Sequence, residues 1–260
     1  MLVALWPARW SRPQRSNATL VAALVLMALV LSLLGRLLSL FPEPIGSNAA
    51  LFAEGALTTL ELTVVAGLAG LVLGTAAALA RTSRLAWLRG VASFYIWAIR
   101  GTPLLVQILF VYFALPVLVP GLNLPDFAAA AVALGLNVGA YNAEAIRAGL
   151  LAVPRGQTEA ARALGLPRAR VFLDVVFPQA FKIALPPLVS NFVALLKDSS
   201  LAYVIGVVEL TNVGNRVQSA TFQPVATLTT VAITYLILTT LVTQVTHAIE
   251  HRFDVEGQVK

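Results

Sequence analysis

Long apolar runs, separated by short basic stretches, constrain this chain more than any other feature of it. The runs at about 18–40, 55–80, 91–119, 126–145, 183–208 and 225–248 are each about 20 residues or longer. That is enough for a helix rising 1.5 Å per residue to cross a hydrocarbon core ~30 Å thick. None alternates with a period of two, and in lipid a helix satisfies its own backbone groups. The expectation is therefore an all-α polytopic membrane protein with about six transmembrane helices. Composition closes off the soluble alternative. Hydrophobic residues make up 58% and charged residues 12%, with a mean hydropathy of +0.84. A soluble domain carries roughly twice that charged fraction.

The charges set an orientation. Arg9, Arg12 and Arg15, then Arg81, Arg84 and Arg89, then Arg147, Arg155, Arg162, Arg168, Arg170 and Lys182, and finally Arg252 and Lys260 fall on one side. Glu43, Glu54, Asp126, Glu209 and a lone Arg216 fall on the other. Basic loops stay in the cytoplasm, so both termini and the long connection at about 147–182 are expected inside. The net charge of +6 reads as this topogenic bias, not as a nucleic-acid surface. The basic start before 18–40 resembles a signal peptide, but that run is too long and Phe41-Pro42-Glu43-Pro44 offers no small-residue cleavage pattern. It reads as a retained first span, with Arg36 snorkelling or packed inside. Residues 1–50 then form a cytoplasmic N-terminus and an extra first helix, and 51–255 the main transmembrane domain. The chain has no cysteine, which excludes disulfides, thiolate metal sites and a cysteine nucleophile. His247 and His251, both near the C-terminus, exclude an imidazole cluster inside the membrane.

The connection at 147–182 carries helix punctuation. Thr158 is expected to cap a helix over Glu159–Leu164, with Gly165 ending it in a left-handed turn. Pro167 opens a second amphipathic piece, Arg168–Phe177, which Pro178 is expected to close. A helix of about two turns does not persist alone in water. It must dock, either in a shallow protein groove or on the lipid surface.

Gly156-Gln157-Thr158-Glu159-Ala160-Ala161-Arg162-Ala163-Leu164-Gly165 resembles the EAA loop of binding-protein-dependent ABC permeases. Arg100-Gly101-Thr102-Pro103-Leu104-Leu105-Val106-Gln107 is similar to the RGTPLLVQ signature of the polar amino-acid branch. Gly139-Ala140-Tyr141-Asn142-Ala143-Glu144 with Arg147 resembles its GAYxAExxR segment. Phe177-Pro178-Gln179-Ala180, Leu185-Pro186-Pro187 and Lys197-Asp198-Ser199-Ser200-Leu201 resemble further elements, in the family's order, over about residues 55–252. The resemblance implies a type I importer transmembrane domain in the bacterial inner membrane. It implies two permease subunits, identical or different, each coupled to a nucleotide-binding ATPase, and an extracytoplasmic amino-acid-binding protein. The loop helix would be the coupling helix, with Gln157, Glu159, Ala160, Ala161, Ala163, Leu164 and Gly165 as ATPase contacts and Glu159 pairing a basic group there. A solvated or locally capping Glu159 is the plainer alternative. No Gly-x-x-x-x-Gly-Lys phosphate loop occurs in the chain, so ATP and Mg are expected on the partner and the chain is not itself an enzyme.

Ionisable groups inside spans are costly and mark functional candidates. Arg36, Glu61, Arg100, Lys197 and Asp198 qualify, although Glu61 also suits the outer interface. Arg100-Gly101-Thr102-Pro103 is expected to break the third span, freeing backbone groups for substrate or for a kink. Lys197-Asp198-Ser199-Ser200 reads either as a self-satisfied structural network or as a site for a zwitterion. In the second reading Asp198 meets the α-ammonium, while Ser199, Ser200 and Arg100 or Lys197 meet the carboxylate. Asn191, two helical turns earlier, shares the face of Asp198, and Gln107 is placed in the same cavity. In relatives that carry cationic amino acids, the position matching Asn191 can be a glutamate; asparagine here favours a polar uncharged substrate such as glutamine. An ion-coupled secondary transporter is the alternative, but such proteins usually show two related halves, and no internal repeat is visible.

Overall fold

The computed structural model describes residues 12–253. Arg9 and Lys260 of the basic set, residues 1–11 of the expected N-terminal region and 254–255 of the expected membrane domain lie outside them. Every regular element among the described residues is helical: α1 Arg12–Leu38, α2 Ala49–Thr82, α3 Ala86–Arg100, α4 Leu104–Leu109, α5 Leu115–Leu118, α6 Asp126–Ala152, α7 Arg155–Ala163, α8 Arg168–Arg170, α9 Phe177–Asp198, α10 Leu210–Thr221 and α11 Pro224–Arg252. Four stretches are long and apolar enough to cross a membrane: Asn17–Leu38, Gly46–Thr82, Arg168–Ile205 and Pro224–Glu250. The helix Ala86–Arg100 and its continuation Leu104–Leu118 reach that standard only as a pair bent by 110°. The expected fourth span, α6, has the length, 27 residues. It falls short on apolarity because it carries Asn137, Asn142, Glu144 and Arg147. It tolerates them by lying at the centre, packed against α2, α3, α4 and α9, where protein and not lipid surrounds it.

Glycine makes that central packing possible. Gly70 and Gly74 of α2 face Gly135 and Gly139 of α6. A Cβ on Gly74 would lie 2.8 Å from the Gly139 carbonyl oxygen and 3.1 Å from the Ala143 nitrogen. Small residues four apart on both helices let the backbones touch, the main source of helix adhesion in lipid. On the other flank Leu34 and Leu38 of α1 join Phe52, Leu210, Leu238 and Val242 in one buried cluster. This ties the extra first helix to α2, α10 and α11.

Prolines explain the irregular turns. The chain widens into π-type turns at Phe110–Ala114 and Val171–Val176, each ending two residues before a proline, Pro116 or Pro178. Proline has no N–H and its ring crowds the carbonyl four residues back, and a wider turn relieves both problems. Pro178 therefore does not close the Arg168–Phe177 piece as expected. The helix runs on through it, and past Pro186 and Pro187, to Asp198. Thr158 is not a cap either: Pro154 occupies that position and α7 starts at Arg155, one turn earlier. The Gly165 turn is as expected, with φ +79°. The Leu166 N–H donates to the Ala161 carbonyl at 3.2 Å and the Gly165 N–H to that of Arg162 at 2.9 Å, the paired bonds of a Schellman ending.

Beyond Asp198 the helix tightens into a 3-10 stretch, Ser199–Ile205, and ends at Gly206 with φ +97°. An amphipathic helix that sequence reasoning did not anticipate, α10, follows. Its cap is Glu209, fully buried, whose carboxylate accepts from the backbone N–H groups of Thr211 (2.7 Å) and Asn212 (2.8 Å) and from the Tyr235 hydroxyl (2.9 Å).

Candidate functional site

The break after Arg100 builds the site. Proline cannot donate to the turn before it, so α3 ends, the chain swings through Gly101 and Thr102, and α4 starts at Leu104. The carbonyls stranded there need donors. Gln107 supplies them: its Nε2 donates to the carbonyls of Ile99 (2.7 Å) and Thr102 (3.1 Å) and to the Thr102 hydroxyl (2.9 Å). Its Oε1 accepts from Asn137 Nδ2 at 3.0 Å. Gln107 thus braces the broken helix and α6, and it does not line the cavity described next.

Between this break, α6 and α9 lies a cavity of about 350 Å³. Its polar lining is Thr102, Asn137, Tyr141, Asn191 and Asp198. Of the seven residues expected to bind substrate, Asp198 and Asn191 line it. Gln107 acts through Asn137. Arg100 is exposed and does not line it; its guanidinium lies over the Tyr141 ring, 5.1 Å from the centroid. Lys197 is exposed and forms no ion pair with Asp198. Ser199 is fully buried, its hydroxyl donating to the Leu196 carbonyl at 2.8 Å, and Ser200 is half-buried outside the lining. The reason is helical geometry. Consecutive residues diverge by about 100°, so Lys197 and Ser199 are turned away from the face that presents Asn191, Ala194, Leu195 and Asp198.

Asn137 and Tyr141 escaped sequence reasoning. Their signal was available: polar residues four apart on a helix otherwise rich in alanine and glycine share a face. Asn142 supports the site from behind, accepting from Asn191 Nδ2 at 3.0 Å. Asp198 is the one carboxylate in the lining, and no cation lines the cavity with it. Glu144, one turn beyond Tyr141, is already neutralised. It pairs with Arg81 of α2 and with Arg147, whose Nη2 and Nε lie 2.7 and 3.0 Å from Oε2.

The second candidate surface is α7. Gln157, Glu159, Ala160, Ala163, Leu164 and Gly165 are exposed, Leu164 at 83%. Ala161 is the exception among the expected ATPase contacts. It is 5% exposed and turned into the chain, where α7 packs on the Val171–Val176 turn. It seats the helix on its own protein and has no surface left for another.

Known proteins resemble this chain over the stretch that carries both surfaces. Residues 70–255 match the family described as "Binding-protein-dependent transport system inner membrane component". The chain is 38% identical over 205 residues to the L-cystine transport system permease protein TcyB of Bacillus subtilis (strain 168), covering 78% of this chain and 87% of the relative. It is 39% identical over 206 residues to the glutamine transport system permease protein GlnP of Escherichia coli (strain K12), covering 79% and 94%. A chain from the crystal structure of an amino acid ABC transporter with histidines superposes with a TM-score of 0.74 at 40% identity, covering 79% of this chain and 95% of that one. The α3–α4 break, the Asp198 face and the exposed α7 all lie within the matched residues. The chain belongs to the family of inner membrane components of binding-protein-dependent transport systems.

Proposed function

We propose that this chain forms the translocation pathway of an ATP-driven importer of polar uncharged amino acids, glutamine above all. The observation that carries this reading is the charge balance of the cavity. Asp198 offers one negative charge for the α-ammonium of a zwitterion. After that pairing no second carboxylate remains for a cationic side chain, and no lining cation awaits an acidic one. Asn137 and Asn191 each have one amide N–H committed to a neighbour, which leaves their Oδ1 atoms to accept from a ligand amide. The Tyr141 hydroxyl, under the field of Arg100, suits the α-carboxylate. Unpaired buried polar groups are costly, so a site of this kind rejects ligands that leave its acceptors unmet.

The remaining parts follow. Six crossings, with both termini and α7 in the cytoplasm, agree with the basic bias of the loops. The exposed face of α7 docks in an ATPase that binds ATP and Mg, Glu159 pairs with a basic group there, and Leu164 fills an apolar notch. A second permease copy, identical or different, completes the pathway in the bacterial inner membrane, and an extracytoplasmic binding protein delivers the amino acid.

The test is thermal stabilisation of the assembled permease–ATPase complex by each of the twenty amino acids. Glutamine at about 100 times its Kd adds about 2.7 kcal/mol, and Asp198→Ala removes that gain. Stabilisation by arginine or lysine alone would overturn the specificity, and an undiminished response in Asp198→Ala would overturn the site.

A further inference from the structure

A second cavity, larger and chemically opposite, borders the same two helices, α6 and α9, and shares Val138 with the first. It measures about 540 Å³ and lies between α1, α2, α6, α9 and α11. Its walls are almost wholly aliphatic and aromatic: Leu24, Leu68, Leu71, Leu188, Phe192 and Val245 are representative. Its few polar side chains are engaged with the protein, Thr63 donating to the Thr59 carbonyl (2.7 Å), Thr246 to that of Thr243 (3.0 Å), and Asn142 Oδ1 accepting from Asn191 Nδ2 (3.0 Å). Water needs two to four polar partners, and these walls offer few, so the space suits an apolar occupant better than solvent. Several wall residues are also reachable from the lipid side, with Leu68 62%, Leu71 44% and Leu24 43% exposed.

Length and charge narrow the occupant. On α2 the lining runs from Leu60 to Leu71 and on α9 from Phe181 to Phe192, about 16 Å at 1.5 Å per residue. That is roughly half of a ~30 Å core, the depth of one leaflet. The lined parts of α9 and α11, from Phe181 and to Ile249, begin at the end of the spans from which the α7 loop emerges. There the Phe181 ring meets Phe253 edge to face, with centroids 5.0 Å apart. Each ring has a cation beside it in sequence, Lys182 and Arg252, and neither is in an ion pair among the described residues. The nearby Glu250 is held by His247 at 2.9 Å.

We propose that this cavity is a binding site for one anionic phospholipid of the leaflet on the α7 side, an acyl chain filling the aliphatic slot and the phosphate resting between Lys182 and Arg252. The first helix, which precedes the residues matched to the family, supplies one wall of the slot through Leu24 and Met27. This gives α1 a role in holding lipid against the moving core.

The test uses the full permease–ATPase complex in mild detergent, with phosphatidylglycerol and phosphatidylcholine added back in competition and bound lipid counted by native mass spectrometry. One phosphatidylglycerol retained per copy of this chain is expected. Leu188→Trp, which fills the slot, should reduce retention at least tenfold. Arg252 is exposed and Lys182 half-buried outside the core; Lys182→Gln and Arg252→Gln should each lower the preference for phosphatidylglycerol about fivefold. No retained lipid, or an unchanged preference in the double variant, overturns the proposal. The natural absence of cysteine allows a further check: a disulfide from Leu68→Cys to the same substitution in a second permease copy would show that protein covers the slot, and would also overturn it.

Discussion

Replacing Gly74 by alanine places a methyl group between the two central helices. Its Cβ would sit 2.7 Å from the Asn142 Cβ, 2.8 Å from the Gly139 carbonyl oxygen and 3.1 Å from the Ala143 nitrogen. None of these is the far end of a flexible side chain, so α2 and α6 must part by several tenths of an ångström. Overpacking of this kind costs about 1–3 kcal/mol, partly offset by the ~0.5–1 kcal/mol that alanine gains over glycine inside a helix. The expected net loss is about 1–2 kcal/mol. Gly90 is the control, because a Cβ there meets nothing within 4 Å and only the helical gain remains. The assay is thermal unfolding of the two variants in one detergent, followed by tryptophan fluorescence. Gly74→Ala should melt several degrees below the natural chain and Gly90→Ala at or slightly above it. Glutamine binding should weaken in Gly74→Ala alone, because Asn142 is displaced from Asn191. Equal melting temperatures for the two variants would refute the close-contact argument.

Other outcomes are expected elsewhere. Gln107→Leu strands the carbonyls of Ile99 and Thr102 and releases Asn137; it should cost about 1–3 kcal/mol and raise the uptake KM more than it lowers the maximal rate. Leu164→Asp alters an exposed side chain, so melting should hold while ATP-driven uptake falls at least tenfold, measured in proteoliposomes. Burial raises the Glu209 carboxyl above its usual range, against the pull of the backbone N–H groups of Thr211 and Asn212 and the hydroxyls of Tyr235 and Thr211. A carboxyl raised on folding holds its proton more tightly in the folded protein. Its contribution is complete below the unfolded value and is lost as pH rises through the folded one. Melting temperature should therefore decline across that window in the natural chain and stay flatter in Glu209→Gln.

The membrane class and the broken third span were legible because both rest on strong local chemistry, apolar length in one case and the missing proline N–H in the other. The Gly165 turn was legible for the same reason. Proline misled where tertiary packing overrode it: Pro178 is absorbed by a wider turn at Val171–Val176, and Pro154, not Thr158, sets the start of α7. Asp198 and Asn191 were found through their shared face. Lys197, Ser199 and Ser200 were grouped with them by adjacency in sequence, although a helix turns such neighbours apart. Asn137 and Tyr141 were hidden because α6 reads as a small-residue packing helix, and only the packing of α6 against α9, with the bend at Gly101–Pro103 as a third wall, brings them opposite Asp198. The helix α10 was hidden because its cap, Glu209, reads as a loop charge until Tyr235, from a distant part of the sequence, closes over it.

The most direct measurement is uptake of labelled glutamine into proteoliposomes that hold this chain, with the ATPase and the binding protein present or withheld. Uptake that needs both partners and ATP hydrolysis, and that Asp198→Ala abolishes, is the predicted result. Uptake that continues without the ATPase, or that an ion gradient alone sustains, would contradict the account.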